Sequence, residues 1–96
     1  MPSYRSILTI RDLRAGQQPD AVQQAARQAV TQTTTLEAFQ VEVVRGEPRV
    51  TIRFTAVDDA DARSVHERSL TAVREVASAP HAVLAKVVGG RSVSLH

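Results

Sequence analysis

The chain has 96 residues, 43% of them hydrophobic, which suffices for one domain spanning 1–96 with a single core. Twelve basic residues against ten acidic ones leave a formal charge of +2, a weak surplus beside the clustered positive footprint of a dedicated nucleic-acid binder. There is no cysteine, so disulfides and thiolate metal sites are excluded. Eleven arginines stand against one lysine, Lys86, in a chain rich in Ala and Val, a usage typical of GC-rich bacterial genomes. The opening MPSYRSILTI lacks the apolar stretch and small-residue cleavage site of a signal peptide. No later segment approaches the roughly 20 apolar residues of a membrane span, so a cytoplasmic location is expected.

In SYRSILTIRDL, Tyr4, Leu8 and Ile10 alternate with Arg5, Ile7, Thr9 and Arg11, the period of a half-buried strand. RAGQQPD follows, and Pro19 suits the first turn of a helix with Gln18 or Asp20 near its cap. Ala21, Val22, Ala25, Ala26, Ala29 and Val30 then recur at helical spacing, and a face this small predicts close packing. Thr33 to Thr35 end that helix. Phe39, Val41 and Val43 alternate with Gln40, Glu42 and Val44; after RGEP, Val50, Ile52, Phe54 and Ala56 alternate with Arg49, Thr51, Arg53 and Thr55. Two such runs around a short Gly and Pro loop predict a β-hairpin.

The stretch DDADARSVHERSL, residues 58 to 70, holds three aspartates, a histidine and a serine, a composition that suggests a metal or catalytic site. Asp58, Asp59 and Asp61 suit the cap and first turn of a helix, where carboxylates oppose the macrodipole. Helical spacing places Ala62, Val65, Ser69, Val73 and Val76 on one side, with Arg63, Ser64, Glu67, Arg68, Thr71, Arg74 and Glu75 on the other. Asp61 and His66 then diverge by roughly 140° and cannot share an ion. The i−4 and i+4 neighbours of His66 are Ala62 and Leu70, so the stretch is expected to hold no metal. Ala79 and Pro80 stop the helix, HAVLAKVV forms a fourth strand, and Gly89-Gly90 turns into RSVSLH, a short fifth strand or an arm reaching a neighbour.

The order strand, helix, strand, strand, helix, strand resembles the ferredoxin-like βαββαβ sandwich of the α+β class. That resemblance implies an antiparallel sheet in the order 4-1-3-2 with both helices on one face. The fold alone names no function.

Three places could carry one. His66 falls toward the apolar side of its helix with Ser69 one turn on, but no nucleophile elbow surrounds Ser69, so no catalytic residue is assigned. A histidine lining an intersubunit cleft of a dimeric α/β-barrel enzyme is the catalytic alternative, with His66 or His81 as the candidate. His81 and His96 otherwise read as surface residues.

Arg11, Arg14 and Gly16 precede a helix N-terminus and could hold an anion. Through Gly16 this corner resembles the effector corner of ACT-type regulatory domains. It is also similar to the substrate loop of acylphosphatases, but the chain has no asparagine to take the place of the residue that positions water in those enzymes.

The bare sheet face would carry Arg5, Arg11, Arg49 and Arg53 with Ile7, Val44, Leu84 and Val88. Arginines there could follow phosphates, yet the aromatic stacking positions of RNA-binding modules of this topology are Thr, Arg and Ile, which argues against nucleic acid. The mixed apolar and polar face suits self-association, through the face or a sheet edge. The sequence therefore predicts a non-catalytic, homodimeric binding or regulatory module of a bacterial cytoplasm, open to a small molecule and needing no cofactor. The alternative is a nucleic-acid or anionic-ligand binder using these arginines.

Overall fold

The computed structural model describes residues 1–95; the surface position expected for His96 lies outside them. The elements are β1 (Ser3–Thr9), α1 (Asp20–Thr31), β2 (Leu36–Val44), β3 (Glu47–Thr55), α2 (Asp59–Val76), β4 (His81–Val88) and β5 (Arg91–Ser94). This is an α+β fold with a five-stranded antiparallel sheet in the order β2-β3-β1-β4-β5. The expected order, 4-1-3-2, differs because it counts four strands. Gly89 and Gly90, at φ 57° and 80°, make a turn that returns the chain along β4, so β5 becomes a fifth strand and not an arm.

The alternation of β1 and β3 sets the layers. Tyr4, Ser6 and Leu8 pair with Phe54, Ile52 and Val50 and are buried toward the helices, while Arg5, Ile7 and Thr9 lie on the other face. α1 contributes Val22, Ala26, Ala29 and Val30 to the buried layer, and α2 contributes Ala62, Val65, Leu70 and Val73. Pro19 occupies the cap of α1 with no side-chain bond, so neither Gln18 nor Asp20 caps it. Among the described residues no helix is long and apolar enough to cross a membrane.

One strand reads differently from expectation. Leu84 pairs with Ser6, which faces the helices, and it is 6% exposed within the core. Leu84 and Val88 thus share the helix-side phase of β4, and Val83, opposite Ile7, takes the bare-face position assigned to them. HAVLAKVV is apolar at both parities, so alternation could not fix its phase. The observed phase is the one that buries Leu84 in the core, and it also brings the Lys86 ammonium to 3.3 Å from Asp59 of α2.

The acidic stretch starts α2. Asp58 takes the cap position in extended backbone and accepts from the Asp61 amide at 2.8 Å, while Asp61 accepts from the Val57 amide at 3.2 Å. The first bond satisfies a donor that the first turn leaves open, and the second ties the residue before the cap to the helix. Asp59 turns the other way. It accepts from the Tyr4 hydroxyl at 2.7 Å, and Tyr4 is itself buried and stacked on Phe54 at 6.0 Å between ring centroids. Replacing the cap, Asp58→Ala, is expected to lower unfolding free energy by about 1 kcal/mol, seen as a lower urea midpoint at unchanged slope. An unchanged midpoint would show that the Asp58 bond does not hold the helix start.

Candidate functional site

Burial and pairing decide what each candidate residue can do. His66 is 7% exposed, and its Nδ1 shares a 2.6 Å hydrogen bond with Oγ of Ser6, sixty positions earlier on β1. Ser69, the partner suggested by helical spacing, instead donates to the Val65 carbonyl at 2.9 Å. Sequence reading missed Ser6 because a serine at an inward strand position carries no local signal of what lies across the layer. Its only mark was a polar residue at a core-facing parity between Tyr4 and Leu8.

The Ser6–His66 pair cannot act as a nucleophile and base. Ser6 is fully buried, so no substrate carbonyl reaches its oxygen, and β1 is paired on both sides, which commits the neighbouring backbone amides to the sheet. Burial lowers the His66 pKa below its ordinary value, outweighing the nearby Glu67. The neutral ring therefore serves as a hydrogen-bonding strut between sheet and helix. His66 also lines a shallow hollow of about 400 Å³ with Arg63, Glu67, Leu84 and Leu95. His81 is exposed at the start of β4, opposite Thr9.

The aspartates do not converge. Among the described residues no group of three or more His, Cys, Asp or Glu side chains could hold a metal ion. Asp59 belongs to a local cluster with Tyr4 and Lys86, whose ammonium lies 5.8 Å from the Tyr4 ring centroid. Hydrogen bonds from Tyr4 and Lys86 lower the Asp59 pKa. Burial and the Asp59 carboxylate push the Tyr4 phenol up to about 12.

The arginine corner separates. Arg14 reaches the far end of α2, where its Nε and Nη2 donate to the Arg74 carbonyl at 3.1 and 3.0 Å. It is carried there because the chain after β1 pairs with the segment leaving α2: the Arg11 amide donates to Ser78, the Ser78 amide to Asp12 and the Arg14 amide to Val76. A guanidinium on the last carbonyls of a helix suits its negative end. Arg11 stays near the start of α1 and pairs with Glu47 at 3.3 Å. Gly16, at φ 81°, supplies a left-handed turn after both, on the way to α1.

On the bare face, Arg5 donates to Ser92 at 2.6 Å, Arg53 lies 3.6 Å from Glu37, and Arg49 stands opposite Glu42 in the ladder. Acidic residues of β2 and β3 thus stand beside Arg11, Arg49 and Arg53. That leaves no unbroken positive track for a phosphate backbone.

A different feature has the shape of a binding site. Between α1, the loop after β1 and the β2–β3 hairpin lies a cleft of about 380 Å³, lined by Ile10, Leu13, Val22, Phe39, Val41 and Val50. Arg11, Asp20 and Gln23 add polar groups to its lining. It arises because the twisted sheet extends past the short α1, leaving the end of the hairpin uncovered. No protein-family model matches the sequence, and neither a curated protein nor a solved structure matches it.

Two outcomes test the buried pair. Ser6→Ala leaves a buried ring nitrogen without its partner and is expected to cost about 1–3 kcal/mol of stability, measured by urea unfolding. The pH dependence follows from the lowered pKa: as pH falls through about 6.5, the unfolded chain protonates His66 before the folded one does. The stability associated with the neutral ring is complete above about pH 6.5 and declines below it toward the folded-state pKa. His66→Asn should flatten that part of the profile; an identical slope in both proteins would assign the pH dependence elsewhere.

Proposed function

We propose that the chain is a non-catalytic binding module, built on a ferredoxin-like βαββαβ core extended by β5. Its ligand is a small, mainly apolar molecule with one polar end, seated in the cleft between α1 and the β2–β3 hairpin. The cleft carries this reading: its volume of about 380 Å³ falls within the range of small-molecule sites, and apolar side chains dominate its wall. Arg11 supports a polar or anionic end, since it lines the cleft and is half-exposed even while paired with Glu47. The arginine-rich composition suits a bacterial source.

Catalysis is not favoured by the geometry of the histidines, because Ser6 is sealed and His66 is held neutral as a strut. The anionic-ligand reading survives only at Arg11, since Arg14 is occupied at the end of α2.

Anilinonaphthalene sulfonate, an apolar fluorophore with one anionic group, is a suitable probe. Its fluorescence should rise on binding to the native protein, and Leu13→Glu should weaken binding by about tenfold or more, because a carboxylate would meet the apolar wall. Arg11→Gln should weaken it less. Equal binding by Leu13→Glu and the parent chain would remove the cleft as the site.

A further inference from the structure

We propose that two copies of this chain pair antiparallel along their β2 edges, in the register that sets Val41 opposite the partner's Val41. The sheet ends unequally. β5 is four residues long, whereas β2 offers nine residues, Leu36–Val44, with no strand of the described residues along their outer side. A long free edge exposes a row of unpaired amide and carbonyl groups, the usual template for strand addition. Val41 and Val43 on this strand are 61% and 72% exposed, among the most exposed large apolar residues of the chain.

The backbone fixes which residues can bond outward. Arg45 and Gly46, at φ 53° and 80°, form a two-residue turn closed by the pair Val44 and Glu47. In such hairpins the closing pair is hydrogen-bonded, so Val44, Glu42 and Gln40 direct their amides and carbonyls to β3, and Phe39, Val41 and Val43 direct theirs to the free edge. The position of Pro48 agrees: it stands opposite Val43, and its carbonyl turns away from β2 to accept from the Ile10 amide at 2.9 Å.

Side-chain chemistry then selects among the allowed registers. Centring on Glu42 would oppose two carboxylates across the dyad, which is unfavourable for directly opposed like charges. Centring on Gln40 would set Val43 against the partner's Glu37. Centring on Val41 sets Val43 against the partner's Phe39, Glu42 against the partner's Gln40, and Arg45 alongside the partner's Glu37. Every apolar residue then meets an apolar one and the charges at the ends are opposite. This register also lets residues 38 to 44 pair throughout, stopping before the irregularity between Leu36 and Ala38.

Phe39, Val41 and Val43 project on the helix side of the sheet, where Phe39 and Val41 also line the cleft. Pairing would bring the two clefts to either side of the dyad. The bare face is the weaker candidate for self-association, since Leu84 lies in the core and Arg5 and Arg53 are already held by neighbours. The proposal is independent of whether the cleft binds a ligand.

Light scattering on the full chain should give twice the 10.4 kDa protomer mass, and Val41→Lys with Val43→Lys should return it to one. Both residues are exposed, so circular dichroism should show the same fold. The chain has no cysteine of its own, which makes single cysteines clean reporters of register. Val41→Cys should form a disulfide-linked dimer on mild oxidation much faster than Glu42→Cys or Val43→Cys, because in the Val41-centred register only residue 41 meets its own copy, at a separation a disulfide can span. A monomeric mass overturns the proposal. So does a dimer that persists in the folded double-lysine variant, which would place the contact on the bare face, or fastest linkage through Glu42→Cys, which would refute the register.

Discussion

The hydrogen bond between Ser6 and His66 ties α2 to β1 inside the apolar sheet–helix layer. A polar pair inside an apolar layer tolerates little displacement, because a shift of α2 along or around its axis would leave a buried ring nitrogen and a buried hydroxyl without partners. With that bond made, Val65 and Val73 rest on the sheet and Asp59 meets Tyr4 and Lys86. Arg74 ends beside Arg14 at the far end of the same helix. Three polar contacts along one helix therefore fix its depth, rotation and ends, while the apolar residues between them supply the burial.

The same contacts give the conspicuous residues structural partners. The aspartates serve as a cap, a partner for a backbone amide and an anchor for a tyrosine, three separate duties at three separate points. Arg14 completes the end of a helix, and most of the remaining arginines near the first strand face a carboxylate or a hydroxyl. Residues that look reactive in a one-dimensional string are committed to structure. Several apolar residues without such commitments lie together in the cleft and along the β2 edge.

That concentration has a geometric origin. α1 is 12 residues long and α2 is 18, so the shorter helix leaves part of the sheet on its side uncovered. A nine-residue hairpin strand that outruns its covering helix keeps its inward alternation past the point where anything packs on it. Val41 and Val43 follow the core-facing parity of Phe39 yet remain in solvent. A ligand in the cleft and a second strand on the edge would each shield part of this surface, and the two are compatible because one covers its wall and the other its rim.

Element order, the strict alternation of β1 and β3 and the helical period of α1 and α2 were legible in the sequence, because each depends on neighbours a few residues apart. So was the role of DDADAR as a helix start, since side chains five apart on a helix diverge. The phase of β4 was not legible, because Ala, Val and Leu occupy both parities, and the packing of Leu84 into a core built from distant segments decides between them. Nor was the pairing of Ser6 with His66, the capture of Arg14 by α2, or the cleft. Each joins segments tens of residues apart, and their meeting depends on how far each helix extends over the sheet, a property that no local pattern encodes.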